Sequence, residues 1–377
     1  MIHTPHGDIE TPAFVPVGTQ ATVKALTPDD LKILDVHLFF VNTYHMVLRP
    51  GLEIIEKAGG LHAFMNWDRP LITDSGGFQV FSLAQNKRYV RKNENGGGEG
   101  DLVKITDDGV TFRSHWDGKE FTFTPEFSMN AQWTLGSDIH IAFDDCTPLG
   151  VSQKQAEKSL SRTHRWASES LITHQRLAME YGKVRRPYQA LYGSIQGSQF
   201  EELRKKSAAF IASLPFDGIA IGGVSVGETK KEMQDVLSWV TPLLPPDKPR
   251  HLLGVGELDD ITPLIAAGID TFDCVQPSRL ARMGMLYHRV RFSPHERVNT
   301  ETIDITKKAY ADDLNPISMG CNCYTCTHFS RAYLYHLFHV RELLAYNLAT
   351  IHNIAVVNDF VSTLRNLIND GKFAHII

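Results

Sequence analysis

No apolar run in the 377-residue chain is long enough to span a bilayer. The N-terminal MIHTPHGDIE has neither the basic start nor the apolar core of a secretory signal. A membrane partner is therefore not expected, and a cytoplasmic setting is. Cysteine is scarce: five in a chain of this size do not make a disulfide framework. Positive charge is not in excess either. With a net charge of −5, a nucleic-acid partner would have to be gripped by a local basic patch. No glycine fingerprint opens an early helix, as a dinucleotide site would require, and no internal repeat marks a solenoid. What remains, 42% hydrophobic and 21% charged, is ordinary for a globular protein with a large core.

Eight short apolar or β-branched runs punctuate the first 280 residues: PAFVPV from Pro12, LFFVNTYH from Leu38, PLITDSG from Pro70, IHIAFDD from Ile139, ALYGSIQG from Ala190, GIAIGG from Gly218, HLLGVG from His251 and TFDCVQP from Thr271. Amphipathic stretches lie between most of them, at 27–35, 152–181, 199–214 and 230–244. Nearly uniformly apolar strands alternating with helices predict a (β/α)8 TIM barrel, with an open doubly wound sheet as the second choice. The barrel is expected over 1–278, interrupted at about 83–123 by a polar, glycine-rich mobile loop leading into a small β-hairpin. Residues 279–377 are expected to form a zinc-binding subdomain after the last strand, followed by C-terminal helices at 329–348 and 354–369 that close the barrel.

In such a barrel the working residues sit at the C-terminal ends of strands. Asp74, Asp144, Asp145, Gln196, Gly222, Gly223 and Asp273 end the runs above and are expected to converge on one pocket. A single aspartate there is often only a helix N-cap, but four acids and a glutamine on successive strands point to chemistry. Gly222 and Gly223 read either as turn residues or as places where a flat ligand meets bare backbone. Asp273 poses the sharpest question, because a carboxylate inside an apolar run has to be paired, hydrogen-bonded or employed.

Three of the five cysteines crowd into CNCYTC. Cys321, Cys323 and Cys326, with His352 on a later apolar helix, make a closed tetrahedral set of the structural zinc type; the alternative is a group of unligated buried thiols. Cys146 and Cys274 are far from it in sequence and read as pocket or core residues, while His45, His336 and His339 read as solvated or core histidines. Arg279, Arg282, His288, Arg289 and Arg291, with Lys307 and Lys308 beyond, form the one local basic patch. It suits a phosphate backbone or, equally, a solvated face.

Together TPAFVPVGTQATVKAL, NTYHMVLRPG, DSGGFQVFSL, FDDC, IQGS, IGGVSVGE, FDCVQPSRLAR and C-x-C-x2-C with His352 closely resemble the tRNA-guanine transglycosylases of queuosine synthesis, over essentially the whole chain. The resemblance implies a bacterial-type enzyme that exchanges the anticodon wobble guanine of GUN tRNAs for 7-aminomethyl-7-deazaguanine. It implies Asp273 as the nucleophile at the ribose anomeric carbon, giving a covalent aspartyl-ribosyl tRNA intermediate, and Asp74 as the general acid/base. By the same resemblance Asp144, Gln196 and the backbone at Gly223 and Val224 read the base edge, and Phe78 and Leu253 sandwich the ring. Arg279, Arg282, Arg289 and Arg291 are expected on the anticodon arm, one structural zinc in each subunit, and a homodimer as the assembly. Val224, Gln276, Met283 and Asp145 depart from the usual pattern. The start close to the first hairpin suggests a missing leader, and the lack of a further RNA-binding domain argues against the archaeal type.

Three competing readings stay open. One is the same exchange with salvaged queuine; Cys146 and Val226 resemble instead the type that uses the aminomethyl base. A second is a non-catalytic tRNA-binding subunit, which would lack the aspartates present here at Asp74 and Asp273. The third is a glycosidase on the same barrel, which leaves the cysteine cluster and basic patch without a role.

Overall fold

The computed structural model describes residues 1–78, 103–114, 116–148, 150–184, 186–225, 227–293 and 296–375, giving the backbone alone for 289–293, 296–300 and 375. All eight expected strands are present: β1 (Ala13–Pro16), β2 (Phe39–Val41), β3 (Leu71–Thr73), β4 (Ile139–Ile141), β5 (Ala190–Ile195), β6 (Gly218–Ile221), β7 (Arg250–Leu252) and β8 (Thr271–Cys274). They form one sheet in the order β1-β8-β7-β6-β5-β4-β3-β2. Pairing is parallel at β8–β1, β3–β4, β4–β5 and β5–β6. A parallel bridge from Val17 to Phe40 joins the two ends of the list, so this is a TIM-like barrel.

Local chemistry explains the helices between strands. Thr27, Ser152 and Thr229 cap helices Pro28–Ile33, Gln153–Lys183 and Lys230–Val240, each in a reciprocal capping box with the residue three positions on. A short approach of chain to helix fixes another turn: Gly197, at φ +142°, lies where a Cβ would meet the Arg204 amide at 2.8 Å.

By contacts the chain divides into two compact units: Met1–His3 with Asp8–Phe40 and Leu252–Ile377, and Thr4–Gly7 with Val41–His251. The second carries the insertion. Its expected hairpin is a three-stranded meander, Val103–Ile105, Val110–Arg113 and Glu120–Phe123, because one more alternating segment, VKI, precedes the VTFR strand. The loop expected ahead of it falls mostly on 79–102, outside the described residues. Phe112 and Phe123 pack with Tyr44, Phe143 and Trp166 in one buried cluster. In this unit the hairpin turn at His6 is also tied down. The wholly buried Asp138 accepts His6 Nδ1 at 2.8 Å and the Leu71 amide at 2.9 Å, with His62 Nε2 at 3.3 Å and the two imidazoles stacked at 3.6 Å.

In the first unit, the C-terminal helices break at a different place from that expected. Helix Arg331–Val340 ends at Arg341, which adopts the left-handed conformation, and Leu343–Asn369 then runs unbroken for 27 residues. No glycine or proline marks this stop; Arg341 itself supplies the αL cap.

Candidate active site

Asp144 is the hub of the strand ends in the second unit. Ser194 Oγ and Gln196 Nε2 each donate to its Oδ2 at 2.7 Å, and Ser75 Oγ donates to Oδ1 at 3.3 Å. Burial raises its pKa, while these three donors favour the charged form. Because the Gln196 amide nitrogen is committed to Asp144, its oxygen turns the other way, to where a Cβ on Gly223 would stand only 2.4 Å from it. Gly223 is at φ +62°, so both space and backbone exclude a side chain. Gly222 and Val224 are buried on either side.

The neighbouring Asp145 takes the opposite course. Its carboxylate pairs with Arg162 Nη1, and Arg162 Nε also reaches Asp107 of the insertion at 3.4 Å. Trp166 Nε1 donates to the Asp107 carbonyl at 2.8 Å. Asp145 therefore anchors the meander, and the expectation that it faces a common pocket with Asp144 gives way to this ion pair.

Asp74 sits at the end of β3 and is held by the start of helix Thr43–Leu48. Asn42 Nδ2 donates to Oδ2 at 2.6 Å and the Thr43 amide to Oδ1 at 2.7 Å, while Thr43 Oγ1 donates to the Asp74 carbonyl at 2.6 Å. A buried carboxylate is thereby fixed in orientation by two donors. Sequence reasoning did not single out Asn42 or Thr43, although NTYH follows an apolar strand directly. Phe78, after the GG turn, is exposed.

In the first unit Asp273 is buried within β8, and the Gly254 amide donates to its Oδ1 at 2.8 Å. Leu253, next to that amide, is half-buried. Helix Gln276–Arg282 follows at once. Gln276 donates to Glu257 Oε1 at 2.6 Å, so it ties the segment after β8 to the one after β7. Met283 is exposed.

The basic patch divides. Arg279 is exposed; Arg282 is half-buried and bonded to the Ser278 carbonyl at 2.8 Å, its pKa lowered by burial and by Arg279. Arg289 and Arg291 lie on the long hairpin Met285–Ser293/Glu296–Asp304, opposite Glu301 and Asn299, with side chains outside the described residues. His288 Nδ1 is spent on the Ile317 carbonyl at 2.7 Å, and Lys307 contacts Asp304 at 3.3 Å.

The four metal-ligand candidates come together. His352 Nδ1 lies 3.9, 3.5 and 3.3 Å from the sulfurs of Cys321, Cys323 and Cys326. In a tetrahedron of Zn–S and Zn–N bonds the S–N edge is about 3.6 Å, so the spacing is that of ligands around an ion. His6, His62 and Asp138, by contrast, are drawn to hydrogen-bond distance. His352 Nε2 donates to the Tyr287 carbonyl at 2.6 Å, which puts the proton on Nε2 and leaves the Nδ1 lone pair for a metal. The Cys326 amide faces Cys323 Sγ at 3.4 Å and supports thiolate charge. The set can hold a metal ion. The adjacent Asn353, which sequence reasoning missed, is wholly buried. Its Oδ1 accepts the Tyr287 amide at 3.1 Å, and its Nδ2 donates to the carbonyls of Pro277 and Met285 at 3.0 Å each.

Among the described residues no helix is long and apolar enough to cross a membrane. The family model of queuine tRNA-ribosyltransferase matches residues 1–377. The chain is 42% identical to the queuine tRNA-ribosyltransferase of Roseiflexus sp. (strain RS-1), covering all of this chain and 93% of that one. It is 45% identical to that of Syntrophobacter fumaroxidans and 44% to that of Thermoanaerobacter pseudethanolicus, with 99% of this chain and 90% of the relative covered in each case. Barrel, cysteine–histidine centre and whole-length identity agree, and the chain belongs to the queuine tRNA-ribosyltransferase family of tRNA-guanine transglycosylases.

Proposed function

We propose that this protein exchanges the wobble guanine of GUN tRNAs for 7-aminomethyl-7-deazaguanine by double displacement at the ribose. Asp273 attacks the anomeric carbon and the C1′–N9 bond to guanine breaks, giving an aspartyl ester of the tRNA. Asp74 supplies a proton to the departing base and accepts the N9 proton of the incoming one, whose nitrogen re-forms the glycosidic bond and releases Asp273. Two inversions retain configuration, the logic of any exchange that uses one carboxylate as nucleophile and another for proton transfer.

The observation that carries the reading, given the family, is the Asp144–Gln196–Gly223 arrangement: a buried carboxylate acceptor beside an amide and bare backbone suits the donor–acceptor edge of a 6-oxopurine. Phe78 and Leu253 suit the faces of the ring. The aminomethyl base is favoured over queuine by the likeness of Cys146 to the enzymes that use it, and Cys146 is buried; Val226, also weighed for this choice, lies outside the described residues. In this reading Cys321, Cys323, Cys326 and His352 hold one structural zinc per subunit, which neutralises the thiolates and braces the segment after β8. The arginines at 279, 282, 289 and 291 meet anticodon-arm phosphates, the assembly is a homodimer, and the setting is cytoplasmic. Incubation with labelled guanine and GUN tRNA, with the aminomethyl base and queuine competing, tests it. Release of label by the aminomethyl base at lower concentration than queuine is expected, and no incorporation of guanine would refute the exchange itself.

A further inference from the structure

Arg204 is the only buried arginine among the described residues, and nothing above gives it a task. It lies in helix Glu201–Ser213 with no exposed surface and, among the described residues, makes no ion pair. A guanidinium in that position has to be compensated by hydrogen bonds. It finds three carbonyls: Nε donates to Ser198 at 2.7 Å, Nη1 to Gly222 at 2.6 Å, and Nη2 to Gly223. Burial lowers its pKa to about 10, against the opposing field of Glu228, so it stays charged at neutral pH.

Two of those carbonyls belong to consecutive peptides. A peptide unit is planar and trans, so its C=O and N–H point in opposite directions. Fixing the Gly222 carbonyl on Arg204 thus fixes the Gly223 amide pointing away, and fixing the Gly223 carbonyl does the same for the Val224 amide. Among the described residues neither amide has a backbone acceptor. At this glycine turn, beside the Asp144–Gln196 pair, both amides can donate to the carbonyl oxygen of a ligand.

We propose that Arg204 is a positioning residue for base recognition, aiming the Gly223 and Val224 amides at the 6-oxo group of the bound base and strengthening them as donors by polarising their peptides. The inference rests on the reading that Gly223 and Val224 receive the base. The fork geometry of arginine is essential to it, since a lysine ammonium carries the charge but cannot span two successive carbonyls in one plane.

The test compares R204K, R204M and D144N with the parent protein, using 7-deazaguanine and its analogue lacking the 6-oxo group as incoming bases. R204K should raise KM for 7-deazaguanine by about 10- to 100-fold, leave kcat and the KM for tRNA within about threefold, and lose most of the parent's preference for the 6-oxo base. A merely structural arginine would lower the folded fraction and leave that preference intact. R204K retaining the parent's base KM and 6-oxo preference overturns the positioning role, provided D144N shows the expected rise in base KM. If D144N also behaves like the parent, the base-binding reading has failed and the inference falls with it. Should the arginine variants not fold, exchange of the Gly223 and Val224 amides in the parent protein decides. Slowing by 7-deazaguanine but not by the analogue supports the proposal, and equal or absent slowing by both defeats it.

Discussion

Two largely buried polar centres among the described residues solve the same problem in different ways. Around His352 three cysteines from a six-residue stretch face one imidazole at ligand spacing, and an ion can absorb their charge. Around Asp144 and Arg204 no ion is needed: a carboxylate and a guanidinium are each satisfied by serines, an amide and three main-chain carbonyls brought from 6 to 69 residues away. The first centre is compact in sequence and holds fold. The second is dispersed, and in the proposed reading its hydrogen bonds orient backbone donors toward the base.

The largest effect expected separates both centres from the reaction itself. Asp273→Asn should lower base exchange by about a thousandfold or more, since an amide cannot attack the anomeric carbon. Metal content and guanine affinity should be unchanged, and denaturing gels should show a tRNA adduct with the parent and none with the variant. Exchange at a comparable rate in this variant would show that another group is the nucleophile.

Breaking the cysteine centre alone comes next. Cys323→Ala should release the metal and lower thermal stability by several degrees, because a closed four-ligand site contributes its binding energy to folding. Base affinity measured calorimetrically on the still-folded fraction should persist, as the Asp144 network lies in the other unit. Elemental analysis that finds no zinc in protein purified without chelator would remove the contrast altogether.

A smaller effect tests whether the arginine patch, which belongs to neither centre, holds RNA. Arg279→Ala with Arg282→Ala should reduce the slope of log affinity against log salt by about one to two units and weaken all tRNAs alike. An unchanged slope in filter binding would return the patch to the role of a solvated face.

The smallest concerns a cluster outside both centres. His6 has a raised pKa through its hydrogen bond to Asp138, and Asp138 is held well below the usual carboxylate range by His6 and His62 against the opposing effect of burial. A raised histidine contributes stability that is complete below its unfolded value near 6.5 and fades as pH rises through the folded value; a depressed aspartate contributes above about 3.9 and fades below. The clasp is thus strongest between about pH 4 and 6.5. Hydrogen exchange at residues 4–9 should quicken modestly from pH 6 to 8.5 beyond the intrinsic rate, and His6→Ala should abolish that excess. His6 is partly exposed, so solvent screening keeps the effect small.

The same contrast explains what could be read in the sequence. Each barrel strand announced itself as an apolar run, and the cysteine ligands by spacing, because both signals are local. Asp144 and Asp145 look alike in FDDC, and only the position of Arg162 on helix Gln153–Lys183 decides that the second is an anchor. Arg204 reads as an ordinary helix-surface arginine in EELRKK; that its guanidinium turns inward depends on where β6 ends. The helix stop at Arg341 was hidden for a different reason, since an αL cap usually signals itself by glycine or asparagine.

Asn353 has one further consequence, for tolerance to change. All three of its hydrogen bonds go to main chain, at Pro277, Met285 and Tyr287, so the contact is blind to which side chains those partners carry. Drift at position 285 leaves it intact, whereas any replacement of Asn353 strands a buried amide and two carbonyls at once. In a saturation scan the burden of this junction should fall almost wholly on one residue of the long helix, with its hairpin partner at 285 accepting many substitutions.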